Sequence, residues 1–193
     1  MSLLTVLQQI PDKRRKQGRM YQLEYILLFS IVAILCGSKG YSDISTFIST
    51  KFKVLKSVFK VSWKKPPSKS LIHWIVSNVD EKSLEAGFRS FSLNLIKDKG
   101  ETKPSLVLSV DGKSLRGSYD NFEDKSAMNL LSMFDTNSEI ILAHMDIPNK
   151  ESEMVAVCEL MEEFRLNGVC YTLDALHTQK KQLAQLEKIR TIV

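Results

Sequence analysis

"VLSVDGKSLRGS" (residues 107–118) decides how the second half of this chain folds and what it can do. An apolar, branched run leads to a carboxylate, Asp111, then a glycine and two cations, Lys113 and Arg116. The run reads as a buried strand. Asp111 at its end reads either as a ligand for a hard cation or as the polar start of a turn.

Outward from that stretch, "LVLSV", "NLLSMF" and "EIILAHM" are short strand-like runs separated by polar turns. "ESEMVAVCELMEEFRL" has helical periodicity, with Met154, Val157, Cys158 and Met161 on one face, and Gly168 ends it. "VCYTLDA" is a fourth strand, and "TQKKQLAQLEKIR" a last helix. Three sequential strands predict a meander. The β-α-β step predicts a fourth strand running parallel beside it.

Upstream the pattern is helical. "YQLEYILLFSIVAILCG" reads as a buried helix stopped near Gly37 and Gly40. "YSDISTFISTKFKVLKSVF" is a second, with Ile44, Phe47, Ile48, Phe52, Leu55 and Phe59 on one face. "SLIHWIVSNV" is a third, capped by Ser68 or Ser70. "DEKSLEAGFRSFSLNLI" is a fourth, capped by Asp80, with Leu84, Phe88, Phe91 and Leu95 as its stripe. The expected class is α+β: an all-helical domain over 1–98, a linker "KDKGETKPS", and a β-β-β-α-β-α domain over 104–193.

The charge is divided in the same way. Residues 1–100 hold 17 Lys+Arg and 7 Asp+Glu, a balance of +10. Residues 101–193 hold 10 and 15, a balance of −5. A basic domain of this kind suits a polyanion, with DNA first. The cations expected to meet phosphate are Arg14, Arg15, Lys16, Arg19, Lys64, Lys65 and Lys69, with Lys113 and Arg116 beside the carboxylate. No acidic residue lies between Asp43 and Asp80. The helix, the "KKPPSKS" break and the short helix after it form a candidate helix-turn-helix variant, although the break exceeds the usual turn. The apolar run from Tyr25 to Cys36 is too short to span a bilayer. The cysteines, Cys36, Cys158 and Cys170, are three in number and lack C-x-x-C spacing. A reduced, cytoplasmic protein without a membrane segment is the expectation.

Asp174 closes "VCYTL" as Asp111 closes "LVLSV". If those strands are parallel neighbours, the two carboxylates converge at their carboxyl ends, where ligands gather in open α/β sheets. Two such oxygen ligands suit Mg²⁺ or Mn²⁺. Turn initiation, or for Asp174 a helix cap, is the competing reading. His177, three residues after Asp174, reads either as a substrate contact or as an exposed or satisfied polar residue; His73 and His144 are isolated, and no P-loop, nucleophile elbow or dinucleotide fingerprint is present.

The long stretches also resemble a family. "PDKRRKQGRMYQLEYILLFSIVAILCG", "VDGKSLRGS", "NKESEMVAV" and "TLDALHTQK" are similar, in order, to motifs of the H-repeat-associated transposases, an insertion-sequence group of the DDE class. The resemblance implies a ribonuclease H-like catalytic domain behind a helical associated domain. It implies DNA strand cleavage and transfer with two metal ions, Mg²⁺ or Mn²⁺, held by Asp, Asp and a later Glu. Matched by motif, Asp111 is the first carboxylate and Asp174 the second, with Lys150 and Glu153 between them. The third carboxylate of the pattern has no counterpart before Val193. The expectation is therefore a truncated remnant, weak in metal binding and in strand transfer. The alternative expectation is a DNA-binding regulator that occupies element ends as a homo-oligomer or with intact transposase copies.

Overall fold

The computed structural model describes residues 2–98, 106–115, 129–147, 153–164 and 169–173. Arg116, Lys150, Asp174, His177, Gly168 and the helix expected over 178–190 lie outside these residues. The chain divides into two compact units, Met1–Phe91 and Ser92–Val193.

The first unit is helical: α1 (Leu3–Leu7), α2 (Leu23–Leu35), α3 (Tyr41–Phe59), α4 (Lys69–Ser77) and the start of α5 (Glu81–Asp98). The stop of α2 falls at Cys36, and Gly37 follows at φ +95°, a conformation glycine adopts without strain. Ser68 caps α4, accepting from Leu71 N at 3.3 Å. Asp80 caps α5, accepting from Ser83 N at 3.1 Å. Both caps satisfy orphan amides of a first turn.

Because α2 is apolar all round, it is enclosed. Ile26, Phe29 and Ala33 are at 0% exposure. Ile44, Ile48, Leu55, Ile72 and Ile75 close over it from α3 and α4. Tyr21, Tyr25, Phe29, Phe59 and Trp63 form an aromatic cluster, with ring centroids 5.0–6.4 Å apart in tilted and edge-on pairs.

The short α1 is marked in the sequence only by its cap, Ser2, which accepts from Thr5 N at 3.2 Å. Five residues are too few to be helical alone. Burial of Val6 and Leu7, each 2% exposed, holds it in place. It comes so close to α5 that a Cβ on Gly87 would lie 2.7 Å from Val6 Cγ1.

In the second unit, β1 (Leu106–Ser114), β2 (Asn129–Asp135), β3 (Ile140–Ile147) and β4 (Val169–Leu173) form one sheet, ordered β3-β2-β1-β4. β1–β2 and β2–β3 are antiparallel, and β1–β4 is parallel. The meander and the parallel crossover are as the strand pattern predicted. α6 (Glu153–Phe164) lies between β3 and β4 in the chain. It buries Ala156, Val157, Leu160 and Met161 with Leu108, Val110, Leu131 and Met133 of the sheet. Ala156 and Leu160 thus join the face expected of Val157 and Met161, while Cys158 is only partly buried there. A register shift at Met133/Phe134 leaves Leu142 as the extra residue of β3. This lets two consecutive residues, Leu142 and Ala143, both reach 0% exposure.

One expectation is corrected. β1 does not end at Val110. It continues through Asp111, Gly112 and Lys113 to Ser114, because β2 keeps pairing with it: Asp111↔Ser132, Gly112↔Leu131, Lys113↔Leu130. A continuous antiparallel partner satisfies the backbone groups that a turn would otherwise have to cap.

Candidate carboxylate site and nucleic-acid interface

Leu108 and Val110 point to the buried face of β1, so the alternation puts Asp111 and Lys113 on the opposite face. Asp111 is 63% exposed and Lys113 78%, with Lys113 Nζ 3.9 Å from Asp111 Oδ2. An ion pair this open contributes little to stability. The parallel ladder to β4 ends at Val110↔Leu173. Asp111 follows one member of that last pair in sequence, and Asp174 follows the other. Across β2 and β3, Ser132 and His144 continue the register from Asp111. Asp111 offers hard oxygen donors, the kind Mg²⁺ and Mn²⁺ prefer. Among the described residues no group of three His, Cys, Asp or Glu side chains is assembled to hold a metal ion. The side chain of Glu153, at the start of α6, lies outside the description.

The basic cluster of the helical unit does not act as one surface. Arg14 is internal, its side chain 6% exposed. Its Nε and Nη2 donate to both Asp12 oxygens at 2.8 and 2.7 Å. It also donates to the carbonyls of Gly18 at 3.1 Å and Tyr21 at 2.7 Å. These bonds tie the Pro- and Gly-containing entry segment into a knot. Arg14 therefore holds the segment and is not presented to a partner. Arg19 is half committed, donating to the carbonyls of Arg14 at 2.8 Å and Asp12 at 2.5 Å. Hydrogen bonding by Arg14, with help from Arg19, lowers the Asp12 pKa against the opposing effect of burial. Arg15 and Lys16 remain exposed.

The link between α3 and α4 presents Lys64, Lys65 and Lys69, all exposed. It is pinned from beneath. Lys60 turns the chain at φ 52°. Val61 and Trp63 are buried at 4% and 2%. Trp63 Nε1 donates to Gln22, Lys56 Nζ to Trp63 O at 2.7 Å, and Tyr21 Oη to Pro66 O at 3.3 Å. Sequence reasoning placed these lysines but missed the anchors under them, whose partners lie up to 45 residues away. Past α4, Lys13 reaches Asp80 at 2.6 Å and lowers that carboxyl's pKa, with Ser83 adding its hydrogen bonds.

Residues 4–92 match the DDE_Tnp_1-associated family. The chain is 28% identical over 179 residues to "H repeat-associated putative transposase YhhI" of Escherichia coli (strain K12), covering 93% of this chain and 46% of that protein. It is 27% identical to "H repeat-associated putative transposase YbfD" of the same strain, over 93% of this chain and 69% of that one. The chain thus spans about half the length of the first of these relatives. A cryo-EM structure of a piggyBac transposase synaptic complex with hairpin DNA aligns at TM-score 0.42 and 15% identity, over 90% of this chain and 42% of that one. The helical unit thus matches a transposase-associated family, and the alignment with proteins named H repeat-associated putative transposases runs through both units.

Proposed function

We propose that this chain contributes the first two carboxylates, Asp111 and Asp174, of a DNA strand cleavage and transfer site. The observation that supports it most is the end of the parallel ladder at Val110↔Leu173. Asp111 and Asp174 are the residues that follow the two members of that last pair in sequence. Mg²⁺ or Mn²⁺ bound by such carboxylates supplies activation of an attacking oxygen and stabilisation of a leaving oxygen at phosphorus. Lys113 and Arg116 serve the phosphate backbone beside them. The chain's setting is the cytoplasm, and its partner is the DNA at element ends.

A second reading is DNA occupancy without chemistry, alone or with intact transposase copies. The exposed lysines of the α3–α4 link and the carboxylate-free run between Asp43 and Asp80 favour it. Nicking of supercoiled plasmid with Mg²⁺ or Mn²⁺, using Asp111→Ala as control, separates the two. Nicking lost in the variant supports the catalytic reading. DNA retention without nicking supports the regulator. No retention at any salt concentration overturns both.

A further inference from the structure

α4 has two unlike faces. Ile72 and Ile75 are buried at 0% and 2%. The exposed positions are Lys69, Ser70, His73, Trp74, Ser77 and Asn78. They recur at helical spacing and make one stripe. An outward helix face ordinarily mixes acidic and basic chains. This one has no carboxylate and sets hydroxyl, imidazole and amide groups around an indole that is 48% exposed. Those groups match base edges, which offer donors, acceptors and thymine methyls in the major groove.

The stripe is also braced. The Tyr41 ring meets His73 edge-on at 4.6 Å, and its hydroxyl lies 3.5 Å from Ser77 Oγ. Asn78 Nδ2 donates to Trp74 O at 2.8 Å. Cations stand at its start, where Lys64 and Lys65 precede the helix on the pinned link. At its far end Trp74 and Asn78 share a groove with Pro11, Asp12 and Lys13, the last paired with Asp80, which brings the entry segment alongside. Nine residues make α4 about 13 Å long, comparable with a major groove roughly 12 Å wide.

We infer that α4 is a groove-reading helix for duplex DNA. Ser70, His73 and Trp74 contact bases, while Lys64, Lys65, Arg15 and Lys16 contact the phosphates on either side. The inference rests on the DNA-binding reading above and adds which element carries sequence preference. Charge decides the occupant: a polar, cationic stripe without carboxylates suits a polyanion rather than an apolar protein surface.

The test is selection of a pool of duplexes with a randomised core on the full chain at fixed salt. The wild type is expected to enrich a motif. Ser70→Ala and Trp74→Ala should each weaken binding to that motif about tenfold, with under about twofold change on unrelated duplex. Trp74→Phe should keep the apolar contact and lose less. Lys64→Ala with Lys65→Ala should weaken all duplexes alike and reduce the salt slope by about 2. A motif unchanged in both α4 variants overturns the inference. So does a wild type that retains duplex without enriching any motif, which leaves DNA binding itself standing. Retention of no duplex overturns both readings.

Discussion

Arg14 Nη2 lies 2.7 Å from Asp12 Oδ2, inside a knot that also uses the carbonyls of Gly18 and Tyr21. Two residues apart in sequence, they turn a basic run into a folded element. Removing one partner of a buried, hydrogen-bonded pair leaves the other uncompensated. Asp12→Ala is expected to destabilise the chain by about 3 kcal/mol, and Arg15→Ala by less than about 0.5 kcal/mol. Urea unfolding followed by circular dichroism checks both. Equal losses would show that the knot does not distinguish Arg14's segment partner from its exposed neighbour.

The same pair makes stability depend on pH. Arg14 depresses the Asp12 carboxyl in the fold below its ordinary value of 3.8. Its contribution is therefore fully present above that ordinary value and is lost as pH falls through the lower folded value. Midpoints measured from pH 7 down to the acid limb should show a steeper loss below about pH 4 in the wild type than in Asp12→Asn. Matching acid limbs would remove Asp12 from the account.

At Gly87 α5 packs closely on Val6 of α1. Alanine there gains about 1 kcal/mol of helix propensity but forces its methyl against Val6, and overpacking costs about 1–3 kcal/mol. Gly87→Ala should be net destabilising by about 1 kcal/mol. Adding Val6→Ala should relieve the clash, visible as a favourable coupling in a double-mutant cycle. Simple additivity would contradict the contact.

Asp111 and Leu108 test the two faces of β1. Asp111→Asn changes an open side chain and should alter stability by less than about 0.5 kcal/mol while abolishing any metal-dependent nicking. Leu108→Ala, at 0% exposure, should cost about 2–5 kcal/mol. Thermal melts of the two variants give the comparison. A large loss in Asp111→Asn would make it a structural residue.

The cysteines should separate by reactivity. Burial, with Glu162 and Glu159 nearby, raises the Cys158 thiol above its ordinary range. Cys36 is exposed. Under a neutral-pH thiol reagent Cys36 should label first and Cys158 more slowly, as peptide mapping would show. The reverse order would contradict the packing of α6 on the sheet.

Much of the architecture is written in local patterns. α3 spans Tyr41–Phe59, the run whose apolar spacing announces it, and the caps at Ser68 and Asp80 fall where the polar residues stand. The meander and the parallel return of β4 follow from element order and the handedness of crossovers. These features depend on residues a few positions apart, so the chain carries them by itself. What the tertiary structure decided depends on partners far away in sequence. Val6 and Leu7 make a helix of α1 only because a core covers them. Arg14 is internal because the chain curls back to offer the carbonyls of Gly18 and Tyr21. β1 runs past Asp111 because β2 goes on satisfying its backbone. The physical reason is the same in each case: a polar or short segment takes the conformation that pairs its backbone and hides its apolar atoms, and only the folded neighbours determine which conformation that is.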